Sequence, residues 1–312
     1  MKHTAIVAAL LMALYGCSAI PPTIDSARTA RVYPWASGHE VTVNVAGLEG
    51  SDTPVFLGCY NTIKGHEFVR HSETRQNDLR LATLAYKFAL MASNSYHAET
   101  QFEIAGWKPV RHYRGSPSGS VGVGFQADLY VNSEERRVAI AFRGTDNTND
   151  RWANFSIWLG DESARAPHQY QLAHQVVEEI RADKEFDGYR FVLTGHSLGG
   201  ALAAYAGWEL PDAQLFLFDP SPRTWRSSRP ASSSLYVLRE SGEILNYLFF
   251  WKQIPVVDEN FAKFNIIKGG AVREHNMYYL ARGLMLVSAA EAKNVEAKDM
   301  MDQNLGCLRY AS

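Results

Sequence analysis

Phe191-Val-Leu-Thr-Gly-His-Ser-Leu-Gly-Gly-Ala201 is the stretch that decides the fold. An apolar run enters a Gly-x-Ser-x-Gly turn and leaves into a segment of small helix-forming residues. That order predicts a strand, a sharp turn and a helix, with Ser197 at the tip of the turn on strained backbone. The glycines at 195 and 199 let strand and helix approach without Cβ clashes. The hydroxyl then stands clear of the backbone, near the positive end of the following helix. The Leu198 N–H is placed to donate to an oxyanion forming beside Ser197.

A serine hydroxyl is a poor nucleophile until a base takes its proton and an acid orients the base. When the serine sits on such a turn, the chain order is serine, then acid, then histidine. The sequence has ten histidines and only His275 follows Ser197. The acid is less constrained. It should sit on a loop just past the carboxyl end of a strand. Glu243, presented by Ser241-Gly242, is favoured; Asp219, after Leu215-Phe-Leu-Phe218, and Glu240, after Leu235-Tyr-Val-Leu238, stay open.

Outward from the turn, strands alternate with helices. Alternating or continuous apolar runs predict strands at Val41–Val45, Phe125–Val131, Arg137–Phe142, Tyr189–Thr194, Gln214–Phe218 and Ser234–Leu238. Helical spacing predicts helices over Asn77–Ser93, His168–Lys184, Ala201–Leu210 and Asn276–Ala290. The alternation predicts an α/β fold with a mostly parallel central sheet flanked by helices, and with the Gly-x-Ser-x-Gly turn between strand and helix it resembles the α/β-hydrolase fold. With 312 residues, 46% of them hydrophobic and 21% charged, the chain can bury one large core. A net charge of -2 gives no reason to expect nucleic acid as a partner.

Val138-Ala-Ile-Ala-Phe-Arg-Gly-Thr145 is a strand ending in Arg143-Gly144-Thr145, followed by Trp152 and Asn154. With Gly195-His-Ser-Leu-Gly-Gly200 about fifty residues on, this resembles the class 3 (fungal lipase-like) lipases. The Leu84–Tyr96 helix, Phe218-Asp-Pro-Ser-Pro-Arg223, Ser241-Gly-Glu-Ile-Leu245 and His275 are similar to further parts of that pattern, so the resemblance covers roughly residues 80–290. It implies hydrolysis of lipid esters: triacylglycerol, phospholipid or a related carboxylic ester. It implies a Ser/acid/His triad with no metal or organic cofactor, and oxyanion donors at Thr145 and Leu198. Two departures stand out. Glu243 falls where the family has Asp, and Asp219 falls where it has glycine. Trp152–Leu159, where the family carries its lid, and Tyr247–Trp251 are candidates for an acyl-binding surface or for simple core packing. His66 and His71 have no further residues to complete a metal set.

The N-terminus reads separately. Met1-Lys2-His3, an apolar run from Ala5 to Tyr15 and small residues at 16–18 have the three parts of an export signal. Leu14-Tyr-Gly-Cys17 also resembles the lipobox of bacterial lipoproteins, with Cys17 as the lipidated residue, although Tyr15 departs from the usual small residue. The expected organisation is a signal segment over 1–17, a tether over 18–40 and a single hydrolase domain over 41–312. The expected location is the cell envelope, membrane-anchored through Cys17, or otherwise secreted. Cys59 and Cys307 remain as an even pair, able to form a disulfide in an oxidising compartment or to stay as thiols.

Overall fold

The computed structural model describes residues 29–34, 40–44, 75–96, 102–114, 125–144, 168–222, 234–243, 245, 254, 256–264 and 275–305. Two strands, β1 (Thr29–Pro34) and β2 (Glu40–Asn44), pair antiparallel near the N-terminus. β1 falls in the stretch read as a tether.

Seven strands make the central sheet: β3 (Lys108–Arg114), β4 (Gln126–Asn132), β5 (Arg137–Phe142), β6 (Arg190–His196), β7 (Gln214–Phe218), β8 (Leu235–Glu240) and β9 (Phe261–Phe264). They lie side by side in chain order. β3, β4 and β5 pair antiparallel, and β5 through β9 are parallel. A parallel strand covered on both faces must be apolar on both. Arg137-Val-Ala-Ile-Ala-Phe142 and Gln214-Leu-Phe-Leu-Phe218 meet that demand after their first residue, and those positions are buried.

Side-chain alternation sorts these residues onto two helical layers. Val138, Ile140, Phe142, Leu193, Leu215, Leu217 and Val237 face α2 (His168–Ala182) and α3 (Leu198–Ala206). Ala139, Ala141, Val192, Phe216, Phe218 and Leu238 face α1 (Arg75–Asn94), α4 (Met277–Leu286) and α5 (Val295–Leu305). The alanines of β5 leave room for α1, whose Phe88 stacks on Phe216 at 4.4 Å between ring centroids. Burying one such aromatic contributes roughly 2–3 kcal/mol.

The outer strand β3 protects the sheet edge. It carries Lys108, Pro109, Arg111 and Arg114 and has a register shift between Pro109 and Arg111. Charge, proline and a bulge all discourage pairing with another chain. Among the described residues no helix is long and apolar enough to cross a membrane.

The structure differs from the sequence expectation at several borders. α3 begins at Leu198, immediately after the serine, rather than at Ala201. α4 ends at Leu286 and passes into a π-helical turn over Val287–Glu291. β3, β9 and α5 were not legible. Pro109 and alternate charges hide β3, β9 has only four residues, and Val295–Leu305 has a weak apolar stripe.

Candidate active site

The carboxyl ends of three adjacent parallel strands converge. β6 delivers Ser197, β7 delivers Asp219, and β8 delivers Glu240 and the turn to Glu243. Open α/β sheets put their reactive groups at this edge because each strand there hands over to a loop.

Ser197 has φ 56 and ψ -121, a left-handed conformation that a side chain adopts only under constraint. The constraint is visible. The Ser197 N–H donates to the Phe218 carbonyl at 3.1 Å, and the Ser197 carbonyl accepts from Ser221 N–H at 3.0 Å and Ala201 N–H at 3.2 Å. These bonds tie the turn to the end of β7 and to the first turn of α3. A Cβ on Gly195 would collide with the backbone of Gly199, and one on Gly199 with the carbonyl of Phe142. Strand and helix therefore touch backbone to backbone. Leu198 is the first residue of α3, where N–H groups have no acceptor within the helix.

His275 stands just before α4. Asn276 caps that helix, its side-chain oxygen accepting from Tyr278 N–H at 3.0 Å and Tyr279 N–H at 3.4 Å. The cap fixes where the chain enters the helix and so where His275 projects. The His275 ring lies 4.5 Å from that of His196, the residue before Ser197. On its other side, His275 Nδ1 is 3.0 Å from Glu243 Oε2. A carboxylate only accepts, so Nδ1 carries a proton toward it, and in the neutral ring Nε2 is the nitrogen with the lone pair.

Glu243 is wholly buried. Its Oε2 also accepts the Leu245 N–H at 2.7 Å, and its Oε1 lies 3.3 Å from Arg239 Nη1. A charge so far from water is tolerated only when paired and hydrogen-bonded. Arg239 supplies the countercharge, and its Nη2 donates to the Pro220 carbonyl at 3.3 Å.

The other two candidate acids sit differently. The Glu240 N–H donates to Asp219 Oδ1 at 2.8 Å, which links the ends of β7 and β8. Asp219 is wholly buried, has φ 39, and its Oδ2 has no hydrogen-bond partner among the described residues. Burial pushes its carboxyl well above the usual range, and the neighbouring Glu243 charge adds to the shift. Of the three carboxylates, Glu243 is the one hydrogen-bonded to His275. Asp219 nevertheless lies close: one ligating atom each of His196, Asp219 and His275 fall within 4.8 Å of one another.

Sequence reasoning missed His196 and Tyr96. The Tyr96 hydroxyl, just past α1, is 2.9 Å from His196 Nδ1. A Cβ on Gly144 would run into that hydroxyl and the His196 carbonyl, so β5, α1 and the serine turn meet there. No local sequence signal links residues a hundred positions apart. Thr145, Trp152–Leu159, Tyr247–Trp251, Cys17, Cys59, Cys307, His66 and His71 lie outside the described residues.

Residues 80–210 match the family model described as phospholipase-like, a Tle-like phospholipase domain. Among curated proteins, a candidate lipase of Saccharomyces cerevisiae is 27% identical over 158 residues, covering 42% of this chain and 46% of its own length. An extracellular phospholipase A1 of Serratia liquefaciens is 34% identical over 85 residues, covering 27% of this chain and 24% of its own. The chain thus spans less than half the length of these curated relatives. Among solved structures, a Yarrowia lipolytica lipase is 14% identical at a TM-score of 0.39, over 59% of this chain and 77% of that one. A lipase from Rhizopus microsporus var. chinensis is 14% identical at 0.38, over 58% and 71%. The family model and the curated relatives support a lipase-like family.

Proposed function

We propose, for this chain of a lipase-like family, that it hydrolyses carboxylic esters of lipids through Ser197, His275 and Glu243. The reading is carried by one observation: Glu243 Oε2 lies 3.0 Å from His275 Nδ1 while the same imidazole lies 4.5 Å, ring centre to ring centre, from His196, the residue preceding Ser197. His275 Nε2 takes the proton from the Ser197 hydroxyl as its oxygen attacks the ester carbonyl. Buried Glu243 stabilises the imidazolium that forms. The Leu198 N–H and, by family resemblance, that of Thr145 hold the tetrahedral oxyanion. Losing one such donor typically costs about 100- to 1,000-fold in rate. The imidazolium then protonates the departing alcohol, and an acyl-enzyme remains. Water, deprotonated by His275, releases the acid and restores Ser197.

The test is labelling of purified protein with a fluorophosphonate probe, alongside turnover of p-nitrophenyl esters of short and long acyl chain. Both signals should vanish in Ser197→Ala and His275→Ala. Labelling that survives in Ser197→Ala, or no labelling of wild type even with detergent or lipid present, sinks the proposal. The latter result would leave a non-catalytic envelope protein built on a hydrolase fold.

A cavity of about 590 Å³ favours a second reading within this chemistry, phospholipase A rather than triacylglycerol lipase. Its charged lining consists of Arg111, Arg114 and Arg143 with Asp128, among polar and apolar neighbours such as Asn94, Tyr96 and Val110, and Arg111 is already paired with Asp183 and Glu185. Tyr96 joins it to the serine turn through His196. A phosphate-bearing head group suits such walls. In this reading Arg114→Ala slows phospholipid hydrolysis and spares a p-nitrophenyl ester; equal slowing of both argues against it. Export, with lipidated Cys17 holding the protein at the membrane that supplies its substrate, completes the proposal.

A further inference from the structure

Asp219 is the residue that the hydrolytic mechanism leaves unexplained. An Asp at φ 39 is strained, and its complete burial with one oxygen lacking a hydrogen-bond partner among the described residues is costly. Uncompensated costs of this kind concentrate where a site serves a ligand. The surroundings name the ligand's chemistry. One ligating atom of Asp219 and one from each of His196 and His275 all lie within 4.8 Å of one another.

Both imidazoles are already oriented from behind. His196 Nδ1 meets the Tyr96 hydroxyl at 2.9 Å, and His275 Nδ1 meets the Glu243 carboxylate at 3.0 Å. With Nδ1–H donating to those oxygens, Nε2 is the ligating nitrogen of each ring. This is the outer support that metal-binding histidines require. Two imidazole nitrogens and one carboxylate oxygen suit zinc, with a fourth position for water. Ligands about 2.0–2.1 Å from a tetrahedral ion stand about 3.4 Å apart. Binding therefore requires side-chain rotation that brings the three ligand atoms from within 4.8 Å of one another to that spacing.

We propose that His196, Asp219 and His275 form a binding site for Zn²⁺ or a similar borderline divalent ion, and that its occupancy switches the hydrolase off. The ion takes the lone pair of His275 Nε2, so Ser197 loses its base. The switch, though not the binding, rests on His275 being the base of the proposed triad. A hard cation such as Mg²⁺ has little use for imidazole nitrogen and should not act here.

Titration calorimetry of the full chain with zinc chloride after EDTA stripping tests the binding without reference to activity. The expected result is one zinc ion per chain in wild type and affinity at least tenfold weaker in Asp219→Asn and in His196→Asn. Asp219→Gly, which suits the left-handed backbone, is the alternative if Asp219→Asn does not fold. Fluorophosphonate labelling of each protein with zinc, relative to the same protein with EDTA, should fall in wild type, recover on chelation, and stay level in the variants. Three results overturn the inference: no stoichiometric zinc binding, equal affinity in wild type and variants, or activity that EDTA abolishes and zinc restores. If zinc binds as described to a protein that neither labels nor turns over esters, the site stands and the hydrolase proposal falls.

Discussion

Glu243 holds two partners at once, His275 through Oε2 and Arg239 through Oε1. Glu243→Gln weakens both. The amide can present an N–H to His275 Nδ1 and so favours the wrong tautomer, a change expected to lower kcat by about 10³- to 10⁴-fold. It also leaves the buried Arg239 short of its countercharge, with a stability loss on the order of 3 kcal/mol. Steady-state kinetics and thermal unfolding measure the two effects. A fall in kcat of less than tenfold would mean that Asp219 has taken over Glu243's place. Asp219 itself predicts a pH effect. Its carboxyl keeps a proton in the folded protein at pH values where the unfolded chain, near the ordinary 3.8, has lost it. The native state then binds more protons than the unfolded one. Its contribution to stability is complete below that ordinary value and is lost as pH rises through the raised one. Asparagine mimics the neutral acid at every pH. The Tm advantage of Asp219→Asn over wild type should therefore grow from pH 5 to pH 8, and an advantage that is flat across that range contradicts the shift.

At the scale of elements, helices α1 and α5 close over the start of the sheet through two asparagine side chains. Asn94, at the end of α1, donates to the Phe102 carbonyl at 3.0 Å and accepts its N–H at 2.7 Å. Asn304, from α5, treats Glu103 in the same way at 2.9 and 2.7 Å. Each amide supplies the pair of bonds a neighbouring strand would have given. Asn94→Ala and Asn304→Ala each strand a backbone donor and acceptor, at a cost of about 2 kcal/mol. That corresponds to a drop in Tm of roughly 4–8 °C by calorimetry. Because Phe102 and Glu103 are adjacent, the double variant should lose less than the sum. Strict additivity would mean that the two clamps act independently.

At the scale of the molecule, one sheet edge gathers what the chain spreads from residue 96 to residue 275. The N-terminal reading makes the prediction that belongs here. If Cys17 is the lipidated residue, Cys17→Ser moves the protein from the membrane to the soluble fraction of an expressing bacterium and removes its labelling by radioactive palmitate. Membrane retention by the serine variant would instead assign attachment to another surface. The Cys59–Cys307 pairing, also a whole-chain matter, is read by counting free thiols in the denatured, unreduced protein: two fewer than in the reduced protein if the disulfide exists.

The sequence alone determined the strand, turn and helix around Ser197, because glycine and small-residue spacing act over a few residues where sterics are local. It also determined the core strands, since a parallel strand buried on both faces has to be continuously apolar. Chain order singled out His275 as the candidate base, the sequence offering no other histidine beyond the serine. The acid did not follow. Glu243, Asp219 and Glu240 all lie at strand ends; the Ser241-Gly242 turn favoured Glu243, but local sequence left the other two open. Only the tertiary structure distributed them, giving Glu243 to His275 and Arg239 and joining Asp219 to the Glu240 backbone. The cluster of His196, Asp219 and His275 and the Tyr96 contact were equally out of reach. Hydrogen bonds and coordination depend on ångström-scale distances between residues far apart in the chain, and those distances exist only once the sheet has assembled.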